Sequence, residues 1–524
     1  MDSAVAAPVN GKAPPMTTEH YDTIIVGAGT AGCVLASRLS EDERHSVLLL
    51  EAAEAVSDEG TQTPGSAFFA LTPDRLYANE TTPQPGLGGR ASAIPSGRGL
   101  GGSGSVNLLA WFEGHPEDYD AWAAAGATDW SWREVEPVFR RLREADADTS
   151  DRAGGMRTEK APDIEQSLLA FVAAGAKQGL PLTEDFNADQ RVGAGLVTAN
   201  TENGVRSGPV DGYLAAARHR ENLEIRQGVR VDRIVHDADL ARGVVLSDGT
   251  EIAADRIVLC AGALRSPHLL MLSGIGPADH LRERGIEPEL DLPGVGRNLH
   301  DHPLVILAWE MLKGYTLLDS DTPANRAVYE TLRRGPLASL PTVGMMVPGP
   351  AGGAAEWQLL PYLLGLDESM TPHATPALSV TLGLLTPRSR GSVTLASNDP
   401  AAAPQIDPRY LSDPSDLERL VEGVRFVERL MASPAMADFT GERLNPGPSD
   451  DIEDWVVRTM GTQWHPAGTC RLGTDPGTVV DPTLRVHGVK NLFVADASVI
   501  PTATRGNLQA PVVMIAERAA EFIQ

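Results

Sequence analysis

The sequence predicts an α/β protein: a mostly parallel sheet gathered from distant parts of the chain, joined to a second, α+β domain with an antiparallel sheet. Three observations predict it. A strand–glycine–helix–strand unit occupies residues 21–51, and a further strand–glycine–helix unit lies near residue 260. From residue 304 to 460 the pattern changes to strand-like alternation.

Residues 23–26 are a short, β-branched apolar run, which reads as a buried strand. Gly27, Gly29 and Gly32 follow as G-x-G-x-x-G. Residues 33–39 are rich in Ala and Leu and predict a helix, and residues 46–50 predict a second strand ending at Glu51. In this order they make a βαβ unit of Rossmann type. Its glycines permit a tight turn and close approach of a pyrophosphate to the helix N-terminus. Glu51 follows Gly32 at the spacing of about 20 residues that suits hydrogen bonds to a ribose. The motif leaves NAD and FAD both open.

Residues 53–95 are rich in Thr, Pro and Gly and read as extended and loop-rich. Residues 96–107, SGRGLGGSGSVN, carry so many small side chains that backbone is expected directly against a ligand. The apolar run 106–112 follows at once, which a solvated linker would not need. Tyr119, Trp122, Trp130, Trp132, Val138 and Phe139 recur at helical spacing and predict two amphipathic helices over 118–146. Residues 222–248 read as strands joined by turns. Residues 257–260 read as a buried strand leading through Ala261, Gly262 and Ala263 into a helix at 266–272. That unit makes the first domain discontinuous.

Residues 292–303, LPGVGRNLHDHP, form another glycine-rich loop. Strands are expected at 377–386 and 391–396, a helix at 414–431, and a Pro/Gly/Ala loop at 348–356. Beyond Trp464 a strand at 492–495 and a helix at 511–523 return to α/β character. The expected division is a tail at 1–18, the first part of the nucleotide-binding domain at 19–155, and mostly the same domain at 156–303. The substrate-binding domain then takes 304–460, and the last part of the first domain takes 461–524.

The net charge of −26 argues against nucleic acid and anionic membranes as partners. Three scattered cysteines, Cys33, Cys260 and Cys470, supply neither a disulfide framework nor a metal cluster. There is no run of 18 apolar residues to span a membrane. Residues 1–18 lack the basic and apolar regions of a signal peptide, so a cytoplasmic location is expected.

Five stretches taken together resemble the glucose-methanol-choline (GMC) oxidoreductase family. They are residues 23–51, GRGLGGSGSVN at 97–107, GALRSPHLLMLSGIG at 262–276, LPGVGRNLHDHP at 292–303, and the region 462–523 with TQWHPAGTCRLG, NLFVADASVIP and GNLQAPVVMIAERAA. The resemblance implies FAD as the cofactor. Gly27, Gly29, Thr30, Ala31 and Glu51 would hold its ADP half. Gly101, Gly102, Asn107 and Leu108 would lie over the flavin, with Trp464, Asn507 and Leu508 nearby. Val231 would meet the adenine, and Asp496 and Ala497 the pyrophosphate and ribityl chain. Some members attach FAD through a His before the Asn of the glycine loop. Val106 stands there, so non-covalent FAD is expected.

Flavin-dependent alcohol oxidation needs a base for the hydroxyl proton and a partner that orients the oxygen. By resemblance these are His465 of WHPAGT and Asn507 of GNLQAP. Imidazole titrates near ~6.5, so it accepts a proton at working pH. Choline-oxidising members place a Glu shortly after the D-H-P, where this chain has Leu304, which disfavours a cationic substrate. Trp464 resembles the arrangement in 5-hydroxymethylfurfural oxidase and aryl-alcohol oxidases. It would either pack on a substrate ring or shield the flavin. His300 and His302 are read as packing, with approach to the flavin as the alternative, and His487 as a turn residue. The expected activity is oxidation of a small, neutral, primary or aryl-type alcohol, with oxygen or another acceptor taking the electrons. Hydroxynitrile-lyase-like and photodecarboxylase-like chemistry on the same fold are the alternatives.

Overall fold

The computed structural model describes residues 19–54, 58–144, 154–237, 239–340, 342–367 and 371–523, so the expected N-terminal tail lies outside the described residues. The opening unit is β1 (His20–Val26), α1 (Thr30–Leu39) and β2 (Val47–Leu50). β2 is buried throughout, as a strand covered on both faces must be. Gly27 turns the chain at φ +101, and a Cβ there would stand 2.6 Å from the Cys260 carbonyl oxygen. A Cβ on Gly32 would stand 2.0 Å from the Gly27 carbonyl oxygen. These two glycines let α1 settle onto the sheet.

β1 lies between β2 and β3 (Glu251–Leu259), all parallel, and Leu223–Arg226 extends the sheet beyond β2. The far edge of β3 is shared. Its first half pairs antiparallel with Leu240–Leu246 and its second half parallel with Leu492–Val494, more than 200 residues away in sequence. The discontinuity expected of the first domain is therefore built into one strand. α2 (Gly262–Leu272) leaves the end of β3 as the sequence indicates.

Every residue of α1 is buried, in part beneath the C-terminal helix Gln509–Ile523. Arg38 of α1 pairs with Glu517 of that helix at 2.9 Å, and the Tyr213 hydroxyl donates to the same carboxylate at 2.8 Å. A buried ion pair is sustained when such extra bonds satisfy its remaining lone pairs.

The second sheet has eight strands. β4 (Pro303–Met311) and β5 (Ala355–Tyr362) flank β6 (Ala377–Leu384), all antiparallel. Beyond β5 it continues through Val343–Pro348 to Gly193–Leu196 and Leu182–Thr183, so this sheet recruits chain from well before residue 304. The expected strand at 391–396 joins a different sheet. Gly391–Thr394 pairs with Arg297–Leu299 and Gln405–Asp407. The glycine-rich loop explains it: Val393 donates its amide to the Gly296 carbonyl, and a Cβ on Gly296 would stand 2.1 Å from the Val393 oxygen. The Pro/Gly/Ala loop is the tip of the hairpin that ends in β5. Two main hydrophobic cores form, one around each large sheet.

Candidate active site

A cavity of about 850 Å³ lies where the carboxyl ends of β1, β2 and β3 face β4, β5 and β6. Open α/β sheets bind ligands at this edge. The β1–α1 turn supplies Gly27, Gly29, Thr30 and Ala31 to the wall. α1 starts at Gly29 with no side-chain cap, which leaves its N-terminal amides for a ligand. Glu51 is buried at the end of β2, and its carboxylate accepts the Ala28 and Ala53 amides at 3.0 Å each. Burial raises its pKa, and those amides oppose the rise.

Gly102, Asn107, Leu108, Val231, Trp464, Asp496, Ala497 and Leu508 also reach the wall. Gly101 does not. Its amide donates to the Ala28 carbonyl at 2.7 Å, φ is +82, and a Cβ would collide with Ser105 Oγ. The loop itself requires a glycine there, and Gly102 is the one of the two that lines the cavity. Asn107 is held from behind. Its Oδ1 accepts from Arg206 Nη1 at 2.7 Å and from the Leu109 amide at 3.0 Å, while Arg206 Nη2 grips its carbonyl. Its amide nitrogen has no protein partner among the described residues. Asp496 accepts from Ser266 Oγ at 2.5 Å and from the Gly262 and Ser498 amides at 2.8 Å.

His465 and Asn507 come together as expected. Asn507 Nδ2 lies 3.2 Å from His465 Nε2, and both residues line the cavity. Gln358 of β5 donates to Asn507 Oδ1 at 3.1 Å. That bond turns the Asn507 NH₂ toward His465, so Nε2 is the acceptor and Nδ1 carries the ring proton. His465 Nδ1 lies 2.9 Å from His302 Nδ1, the two rings edge to face at 5.2 Å. The remaining proton of the pair then sits on His302 Nε2. That nitrogen is sealed in the interior and has no hydrogen-bond partner among the described residues. Burial, and then His302, hold the His465 pKa well below the usual value. Burial takes His302 down to about 4.

The backbone is fixed from the same loop. Asp301 accepts the His465 amide at 2.8 Å, the Tyr410 hydroxyl at 2.7 Å and the Thr462 hydroxyl. Trp464 between them adopts φ +62, a conformation uncommon for a bulky side chain. His302, Asp301 and Gln358 are thus site residues that sequence reasoning missed. The sequence reads His302 as packing, yet it bonds to His465 without touching the wall. The signal available was two histidines in a glycine-rich loop. What it lacked was the pairing of that loop with the His465 segment, where Gln463 donates its amide to the His302 carbonyl. His300 does pack: its Nδ1 meets the Asn298 carbonyl at 2.8 Å, and burial lowers its pKa to about 3. His487 bonds the Thr478 hydroxyl, consistent with a turn. All three cysteines are buried and free, and the described residues hold no cluster of metal-ligating side chains.

Comparison with known proteins finds relatives over nearly the whole chain. The GMC oxidoreductase models match residues 21–304 for the N-terminal part and 387–516 for the C-terminal part. The chain is 35% identical over 534 residues to an oxygen-dependent choline dehydrogenase of Vibrio vulnificus, covering 96% of this chain and 94% of that one. Among solved structures it resembles pyridoxine 4-oxidase from Mesorbium loti, at 33% identity and TM-score 0.86, covering 96% and 98% of the two chains. It also resembles an Aspergillus oryzae formate oxidase studied for its FAD modification, at 28% identity and TM-score 0.87, covering 96% and 98%.

Proposed function

Since the chain belongs to the GMC oxidoreductase family, and is thus an FAD-dependent oxidoreductase acting on alcohols, we propose that it oxidises a neutral, primary or aryl-type alcohol to the aldehyde with His465 as base. The observation that carries this reading is the convergence of His465 Nε2 and Asn507 Nδ2 on one wall of the cavity, beside apolar side chains of β4 and β5. Leu304, Ile306, Leu360 and Leu366 line that part of the cavity.

The residues present fit FAD. The uncapped start of α1 suits a pyrophosphate, the buried Glu51 carboxylate suits a ribose, and the unpartnered Asn107 NH₂ suits a polar ring edge. When bound, FAD supplies the two-electron acceptor for the hydride of the carbinol carbon. The protein does the rest. His465 Nε2 takes the hydroxyl proton, and Asn507 Nδ2 donates to the same oxygen and keeps it facing the base. Gln358 fixes the Asn507 amide, and His302 accepts the His465 Nδ1 proton and so fixes the ring and its tautomer. The low pKa of His465 keeps the base neutral and ready at neutral pH. Oxygen or another acceptor then removes the electrons.

The wall carries two carboxylates among the described residues, Glu51 and Asp496, and both are engaged by backbone amides. A trimethylammonium group would have no free anion to meet, and burying an unpaired cation is costly. Choline should therefore be the poorer substrate, by at least about tenfold in kcat/KM, than benzyl or furfuryl alcohol. A panel run aerobically with peroxide detection, and again with an artificial acceptor, checks this. Faster turnover of choline than of every neutral alcohol would reject the reading.

A further inference from the structure

We propose that Tyr362 is a specificity-determining residue that reads a hydrogen-bonding group at the far end of the substrate, so that the preferred alcohols are elongated and bifunctional. The inference rests on the carbinol end lying at His465 and Asn507.

Side chains alternate along β5. Gln358, Leu360 and Tyr362 face the cavity, while Trp357 and Leu359 belong to the opposite face. Gln358 is tied to Asn507 and marks the catalytic end. Tyr362 lies four residues further on, roughly 13 Å along the strand. The stretch between them is apolar. Leu360 and Ile306 both oppose Thr381 of β6, whose hydroxyl is already committed to the Leu360 carbonyl at 3.1 Å.

The far end differs. Tyr362 is only 4% exposed, and its ring stands edge-on to Phe68, another wall residue, at 5.1 Å and 89°. Its hydroxyl makes no hydrogen bond among the described residues, and it is not one of the sealed, unpartnered polar atoms of the interior. A buried phenol without a partner is unfavourable, and one that borders a ligand cavity can be satisfied from the ligand. Burial raises its pKa, so it stays protonated and donates. The spacing along β5 calls for a substrate that holds its carbinol oxygen and a distal acceptor apart across this apolar stretch. A flat, apolar body with an ether, carbonyl or ring nitrogen at its end is the matching class.

Tyr362→Phe removes the hydroxyl and keeps the ring against Phe68. The test compares anaerobic flavin reduction by 4-methoxycinnamyl alcohol and by cinnamyl alcohol, in the parent, in Tyr362→Phe and in Phe68→Leu. Tyr362→Phe should lower kcat/KM for the methoxy compound by about tenfold, and for cinnamyl alcohol by less than about twofold. Phe68→Leu, which alters packing at the same end, should affect both alike. Equal effects of Tyr362→Phe on the two alcohols, or no effect on either, would overturn the assignment while leaving the alcohol-oxidase reading intact. A parent flavin that neither alcohol reduces would remove both.

Discussion

Flavin reduction by a saturating alcohol is expected to be about 10²–10⁴-fold slower in His465→Ala than in the parent, with FAD still bound. Removing the imidazole deletes the proposed acceptor of the hydroxyl proton and leaves the nucleotide end of the cavity untouched. Asn507→Ala should cost less, because the base remains and one hydrogen bond with its orienting effect is lost. Both are read by anaerobic stopped-flow absorbance. The parent should also show an unusual pH dependence. Burial holds the pKa of His465, the proposed base, well below the ordinary histidine value, so the rate should stay flat as pH falls through ~6.5 and drop only at lower pH. Stability moves in the same window. His302 and His300 are held at about 4 and about 3. Between ~6.5 and those values the unfolded chain binds protons that the fold refuses, so stability declines as pH falls. A near-parent rate in His465→Ala would exclude it as the base and turn attention to His302.

The second large effect is expected at the nucleotide end. Gly32→Ala places a methyl 2.0 Å from the Gly27 carbonyl oxygen, a distance that forces α1 and the β1–α1 turn apart. The helix cannot retreat freely, because all ten of its residues are buried and Arg38 is anchored to Glu517. Overpacking of this kind costs about 1–3 kcal/mol, and here the displacement falls on the amides that would face the pyrophosphate. Purified Gly32→Ala should carry at least about tenfold less flavin than the parent. Flavin is measured in the supernatant after acid precipitation, where the parent should release all of it because Val106 offers no histidyl bond. Parent-level flavin in Gly32→Ala would show that the close approach of helix and turn is not required.

The features legible in the sequence share one property: they are local. The β1–α1–β2 unit announces itself because turn glycines, apolar strands and acid lie within about thirty residues of each other. Helix Pro414–Met431 is equally plain, with an Asp413 cap, Pro at its start and a continuous apolar face. The pairing of His465 with Asn507 came from resemblance, since nothing in their spacing implies contact. What stayed hidden depends on register between distant segments. His302 meets His465 across 163 residues, and Gln358 meets Asn507 across 149. Gly101 would lie over the flavin by resemblance alone, and the sequence does not show that the turn at φ +82, packed against Ser105, requires a glycine there in any case. Gly391–Thr394 alternated as a strand should, but alternation does not name the sheet a strand will join.

Hydride transfer from a neutral alcohol to the bound flavin, the reaction proposed for this site, leaves a spectroscopic signature. The most direct measurement is the flavin spectrum of the parent protein mixed with excess benzyl or cinnamyl alcohol under strict anaerobiosis. The oxidised flavin band should bleach with one aldehyde formed per flavin, and return when an acceptor is admitted. A flavin that stays oxidised while substrate is consumed, as lyase chemistry on the same fold would require, would contradict it.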